Sequence, residues 1–207
     1  MSEKNETIEN RRIGEYLDAL TSSAPAPGGG SVAGLTGALA AGLGEMVVSL
    51  TRDPDPSVIE AGARLADLRA SALTSGAADE LAYGGYVRAS KMPKSTDEEK
   101  ARRLATMQEA LQEAAVVPLE LARTSMLILE QLDPIIRHGN KYVISDGAAA
   151  ISLCLSCIDI CMINANANLP RIKNAQVAES LRKTAHDTEQ RARTLADQLR
   201  ALYAERA

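Results

Sequence analysis

Asp79 is a carboxylate set in a run of small and apolar residues, with Gly76, Ala77 and Ala78 before it and Leu81, Ala82 and Tyr83 after it. If that helix face is buried, desolvation raises the pKa of the carboxyl, and a carboxyl that exchanges protons near neutral pH is a general acid and base. The plainer reading is a surface aspartate, because Glu80 adjoins it and helices expose charges routinely. A second group with chemical meaning is Pro27-Gly28-Gly29-Gly30-Ser31. Its glycines allow close backbone approach, and the free N–H groups of the helix that follows suit an anion or a carbonyl oxygen. Packing alone also explains it, since glycine before a helix is common punctuation. Asn164, Asn166 and Asn168 are polar residues in an otherwise apolar segment. Asn164 and Asn168 lie one turn apart and point the same way, either as hydrogen-bond partners or as a helix-end cap.

Other chemistries find no support. The glycine turn is not followed by the lysine that a P-loop needs to reach the β- and γ-phosphates. Cys154, Cys157 and Cys161 share one helical face in an apolar run, which reads as a core stripe, and no thioredoxin-like βαβ context surrounds them. His138 and His186 are the only histidines, and neither has a second ligand at a metal-binding spacing, so no metal is expected. A Ser-His-Asp arrangement is disfavoured for the same reason. The formal charge of −4 and the absence of a basic stripe with interleaved aromatics argue against nucleic acid. Neither a signal-peptide core nor a convincing membrane span is visible, which points to the cytoplasm.

The elements that must position these residues are helices. Phe and Trp are absent and Ala, Leu, Glu and Arg abundant, and the 207 residues suffice for one substantial core. The expected fold is therefore all-α: a single-domain antiparallel bundle of about six to seven helices over residues 1–207. Helical spacing predicts a first helix over Ile8–Leu20, with Ile13, Tyr16, Leu17 and Leu20 on one face. A second covers Ser31–Thr51 and is expected to bury Val32, Leu35, Leu39, Leu43 and Met46, while Gly34, Gly37, Ala38, Ala41, Gly42 and Gly44 give it a thin surface for close packing. After the polar turn Arg52-Asp-Pro-Asp-Pro-Ser57, a third runs from Val58 to about Ser90. Ser95 and Glu98 fit a capping box opening a helix from Thr96 to about Ala115, supported by Glu98–Arg102 and Glu99–Arg103 pairs. Pro118 is expected to open the next helix at its first turn, ending near Asp133-Pro134. His138-Gly139-Asn140 forms a turn, Lys141–Asn168 a central apolar helix stopped by Pro170, and Ala175–Tyr203 an outer charged helix.

Five segments in this order resemble the cyclodeaminase and methenyltetrahydrofolate cyclohydrolase family of folate one-carbon enzymes. They are Pro27–Ser31 with the small-residue helix ending in Met46-Val47, Asp79-Glu-Leu-Ala-Tyr83, and Met92-Pro-Lys-Ser-Thr-Asp-Glu-Glu-Lys100. Val117-Pro118-Leu119 follows, and then Gly139-Asn140 to Ser145-Asp146 with Asn164 and Asn168-Leu169. The similarity covers nearly the whole chain.

The resemblance implies a helical dimer with folate bound near the subunit interface and no metal or redox cofactor. Asp79 matches the carboxylate that transfers protons. In the cyclohydrolase direction, water adds to the amidinium carbon of 5,10-methenyltetrahydrofolate; in cyclodeamination, N10 attacks the formimino carbon and ammonia leaves. One carboxylate serves either route. By the same resemblance Gly28, Gly29, Gly30 and Ser31 hold a carboxylate or pterin carbonyl, and Lys94 pairs with the glutamate tail. Asn140, Asn164 and Asn168 hydrogen-bond the pterin amide edge, and Asp146 contacts substrate or, with Ser145, caps the central helix. One departure stands out: Arg52-Asp-Pro-Asp-Pro-Ser57 occupies the place of a basic Gly-Lys-Lys-Lys-Tyr-like loop that would attract an anionic substrate. It keeps two alternatives open, a relative acting on another small cyclic amidine or amine and a non-catalytic helical dimer or binding module.

Overall fold

A computed structural model describes residues 8–24 and 26–207, with the side chains of Glu9, Glu80 and Tyr83 outside the description. Pro25 of the proline-glycine turn and the Tyr83 ring of the Asp79 segment therefore lie outside the described parts. Among the described residues there are six α-helices and no strand. They are α1 (Ile13–Leu20), α2 (Gly29–Ser49), α3 (Pro56–Ser90), α4 (Asp97–His138), α5 (Ile144–Asn168) and α6 (Ala175–Arg206). Short 3-10 turns span Ile8–Asn10 and Leu169–Arg171.

Helix α2 runs antiparallel to both of its main neighbours. Along α3 it meets Asp79 at Gly30, Gly76 at Gly34 and Leu65 at Gly44; along α5 it meets Asn164 at Gly29 and Cys157 at Gly37. The core lies between α2, α3, α4, α5 and α6, and its largest fully buried side chains include Leu65, Ile128, Leu132, Ile136, Ile151, Ile158 and Leu199. A smaller cluster of Leu111, Ala115, Leu169, Ile172 and Ala178, with Tyr86 packed on it, sits under the second 3-10 turn. Cys154, Cys157 and Cys161 are free and buried, as the stripe reading expects.

The faces of α2 are the reverse of the expected ones. Gly30, Ser31, Gly34, Gly37, Ala38, Ala41 and Gly44 face inward, whereas Leu39 is 54% and Met46 40% exposed. Small side chains let two neighbouring backbones come close, and the dense contact this gives outweighs burying the leucines. At the closest crossing, a Cβ on Gly34 would stand 2.7 Å from the Ala72 carbonyl oxygen and 2.7 Å from the Gly76 Cα. By length and composition α2 and the segment 144–171 could each cross a membrane; here both pack at the centre of the bundle.

Pro118 does not open a helix. It lies inside α4, which runs unbroken for 42 residues. A proline there removes the N–H that would bond the carbonyl of Ala114, and the side-chain amide of Asn168 donates to that oxygen instead at 3.1 Å. Pro134 likewise lies inside α4. The capping box is shifted by one residue: Thr96 accepts from the Glu99 N–H at 3.1 Å and Glu99 accepts from the Thr96 N–H at 3.2 Å. Ser95-x-x-Glu98 and Thr96-x-x-Glu99 both satisfy the pattern, and the box that forms engages Glu99. Neither the Glu98–Arg102 nor the Glu99–Arg103 pair forms: Glu99 is taken up by the cap, and Arg103 donates to the Ser90 carbonyl instead. At the N-terminus the predicted helix is split into a 3-10 turn and the eight-residue α1, whose Tyr16 is buried while Ile13 is 80% exposed.

Candidate active site

The Gly34–Gly76 crossing fixes what happens one turn further on. Because α2 and α3 are antiparallel, stepping back from Gly34 to Gly30 and forward from Gly76 to Asp79 reaches the same level. There the Asp79 side chain fills the space that a Gly30 side chain would need: a Cβ on Gly30 would stand 2.5 Å from the Asp79 Cβ and overlap its carboxyl. Beside it, a Cβ on Gly29 would lie 3.0 Å from Oδ1 and 3.2 Å from Nδ2 of Asn164. Two glycines thus bring a half-buried carboxyl from α3 and an amide from α5 against the first turn of α2. Gly28 caps that helix with no side-chain hydrogen bond, and the positive end of the helix dipole attracts anionic and carbonyl groups.

Two residues beneath this cluster were read from the sequence only as packing residues. The Tyr16 hydroxyl donates to Ser31 Oγ at 3.1 Å, and both side chains are buried, tying α1 to the start of α2. Cys161, one turn before Asn164 on α5, lies close enough to Asp79 to feel its charge. Hydrogen bonding to Cys157, then burial, then the charges of Cys157 and Asp79 push the Cys161 thiol up, and burial does the same to Cys154. Neither thiol is a nucleophile at neutral pH.

Gly28, Gly29, Gly30, Ser31, Asp79 and Asn164 are therefore brought together. Asn168 is one turn further along α5, but its Nδ2 donates to the carbonyls of Ala114 and Asn164 at 3.1 and 3.2 Å, so those donors hold α4 to α5. Lys94 is exposed in the turn between α3 and α4. Asn140 and Asp146 do not reach Asp79 within the chain. Helix α2 spans about 30 Å at 1.5 Å per residue, and Asn140 sits at its far end. There Asn140 donates to the Leu50 carbonyl at 2.7 Å and accepts from the Tyr142 N–H at 3.0 Å. Asp146 lies in the first turn of α5, whose cap Val143 makes no side-chain bond. That places it about 27 Å along the helix from Asn164. The turn at Arg52 borders a separate cavity of about 560 Å³ at this far end, lined by Thr51, His138, Gly139, Asn140 and Tyr142. Among the described residues no group of three or more His, Cys, Asp or Glu could hold a metal ion.

The sequence model of the Formiminotransferase-cyclodeaminase family matches residues 12–187. The chain belongs to this family. Among its formiminotransferase-cyclodeaminase relatives, the methenyltetrahydrofolate cyclohydrolase of Methylorubrum extorquens is 35% identical over 181 residues, covering 84% of this chain and 85% of that protein. The formimidoyltransferase-cyclodeaminase of Sus scrofa is 29% identical over 216 residues, which is 96% of this chain but 39% of the longer relative. The cyclohydrolase acts on a tetrahydrofolate derivative by name. The crystal structure of formiminotetrahydrofolate cyclodeaminase from Thermotoga maritima matches with a TM-score of 0.85 at 24% identity, over 96% of this chain and 98% of that one, and shows the same helical fold.

Proposed function

We propose that this chain is a cytoplasmic folate one-carbon enzyme that hydrolyses 5,10-methenyltetrahydrofolate to 10-formyltetrahydrofolate, or closes 5-formiminotetrahydrofolate with loss of ammonia. The carrying observation is the Asp79 carboxyl held against Gly30 at the start of α2, with Asn164 against Gly29. Family membership and the 35% identical cyclohydrolase support the substrate class.

In hydrolysis Asp79 takes a proton from the water that attacks the amidinium carbon. The same carboxyl then returns a proton to N5 as the N5–C bond breaks. In cyclodeamination it relays a proton between the attacking N10 and the departing nitrogen. Such proton transfer is worth about two to four orders of magnitude in rate. The carboxylate charge also stabilises the cationic carbon. The first-turn N–H groups of Gly29 to Ser31 receive a pterin carbonyl or carboxylate, and Asn164 hydrogen-bonds the amide edge. No metal or redox cofactor takes part in this scheme.

A homodimer belongs to the same proposal. The outward leucines of α2 form, with Ile8, Leu73 and Leu153, an apolar groove of about 460 Å³ lined by Leu35, Leu39 and Leu43. Leu39 stands at the middle of the 21-residue helix, so one patch can meet its own copy about a two-fold axis. Leu39→Glu should yield monomers by sedimentation.

Loss of methenyltetrahydrofolate absorbance on adding the protein tests the activity. Acceleration by wild type and its loss in Asp79→Asn are expected. No acceleration together with no folate binding by calorimetry would refute the reading.

A further inference from the structure

Beyond the start of α2, its two neighbours continue side by side. Helices α3 and α5 both run antiparallel to α2, so they run parallel to each other, with Asp79 and Asn164 level at Gly30 and Gly29. Seven residues after Asp79 on α3 comes Tyr86, and seven after Asn164 comes Arg171 in the 3-10 turn that ends α5. Two helical turns return a side chain to the same face about 10 Å further on. At that level the two meet: the Arg171 guanidinium stacks over the Tyr86 ring, 4.4 Å from its centroid, and donates to the Tyr86 hydroxyl.

The pair is held from behind. Gln108 of α4 donates to the Arg171 carbonyl at 3.1 Å and accepts from the Lys173 N–H at 2.7 Å, gripping the backbone on both sides of Ile172. Tyr86 packs on the small cluster of Leu111, Ala115, Leu169 and Ile172. Yet Arg171 is exposed, and among the described residues it has no carboxylate partner within ion-pair distance, although seven other arginines do. One guanidinium N–H edge and the Tyr86 O–H remain able to converge on a single anion, a charge-assisted arrangement stronger than neutral hydrogen bonds.

We propose that Tyr86 and Arg171 seat a carboxylate of the substrate's glutamate tail. This rests on the folate reading, in which the reacting carbon stands at Asp79. The p-aminobenzoyl ring and its amide bond separate that carbon from the tail carboxylates by a length comparable with two helical turns. The turn at Arg52–Ser57 lies at the opposite end of α2 and is out of reach of that tail within the chain; Arg171 adds a cation at the end of α5 to Lys94, the tail partner that the resemblance implies.

The test compares 5,10-methenyltetrahydrofolate with the analogue that ends in an uncharged benzamide and carries no glutamate. Wild type should prefer the glutamate-bearing substrate by about tenfold or more in kcat/KM, mainly through KM. Arg171→Gln should lose that preference, Tyr86→Phe should lose part of it, and Arg171→Lys should restore part. As a second readout, free p-aminobenzoylglutamate should compete with substrate on wild type and about tenfold more weakly on Arg171→Gln. A wild type without the preference, or an Arg171→Gln that retains it, overturns the tail seat and leaves the folate reading standing. A wild type that turns over and binds neither compound overturns both.

Discussion

The two ends of α2 use similar residues for opposite ends. At its C-terminal end the polar groups close on one another: Thr51 donates to the Val47 carbonyl and accepts from the Asn140 N–H, and the Asn140 amide donates to Leu50. Arg206 donates to the carbonyls of Ile136 and Gly139, completing a clasp between the ends of α2, α4 and α6. At its N-terminal end the helix starts on glycines, Tyr16 donates to Ser31 Oγ beneath it, and the Asp79 and Asn164 side chains lie against Gly30 and Gly29. An asparagine whose donors and acceptors are satisfied inside the chain contributes stability. Asn164, set against Gly29 at the helix start, is the one proposed to meet a ligand, and residue type alone does not distinguish the two.

Five substitutions would break or sharpen that contrast. The largest effect is expected at the N-terminal end: Asp79→Asn should lower kcat by about two to four orders of magnitude while leaving the urea midpoint nearly unchanged. Gly30→Ala should lose activity to a similar extent, because its methyl group would occupy the place of the Asp79 carboxyl. At the clasp the effect should move to stability. Asn140→Ala removes the donor to Leu50 and should lower the unfolding free energy by about 1–3 kcal/mol in urea titrations. A kcat loss larger than this stability loss would erase the contrast.

Asn168→Ala tests a third kind of asparagine, one that bonds a carbonyl left without its helical donor by Pro118. It should cost about 1–3 kcal/mol, and the double variant with Pro118→Ala should recover part of that loss. The smallest effect concerns Asp55, the exposed cap of α3 beside the far-end turn. Hydrogen bonds from the Ser57 side chain and backbone hold its carboxyl below the ordinary range. A group lowered in the folded state adds stability above its unfolded pKa and loses it as pH falls through the folded value. The midpoint difference between wild type and Asp55→Ala should therefore be present at neutral pH and shrink below about pH 4.

Much of this was legible in the sequence, for identifiable reasons. The places of α3 and α5 follow from Asp-Pro and Gly-Asn turns whose chemistry is local, although α3 begins at Pro56 rather than Val58 and α5 at Ile144 rather than Lys141. The pairing of the glycine turn with Asp79 and Asn164 was available only through resemblance, because 49 residues separate Gly30 from Asp79 and periodicity carries no information over that distance. Local rules failed where a distant partner intervened. Pro118 signalled a helix start, yet Asn168 from another helix supplies the donor that keeps α4 continuous. The leucine stripe of α2 signalled its buried face, yet α3 and α5 gain more by approaching the glycines.

By itself the sequence determined a helical chain, its main turns and its family, since each depends on local composition or on ordered motifs. Only the tertiary structure decided which face of α2 is buried, that Asp79 meets Gly30 while Asn140 and Asp146 stand at the other end, and that Tyr86 meets Arg171. Those outcomes depend on how closely two backbones approach and on whether neighbouring helices run parallel or antiparallel. Both are set by packing between segments far apart in the chain.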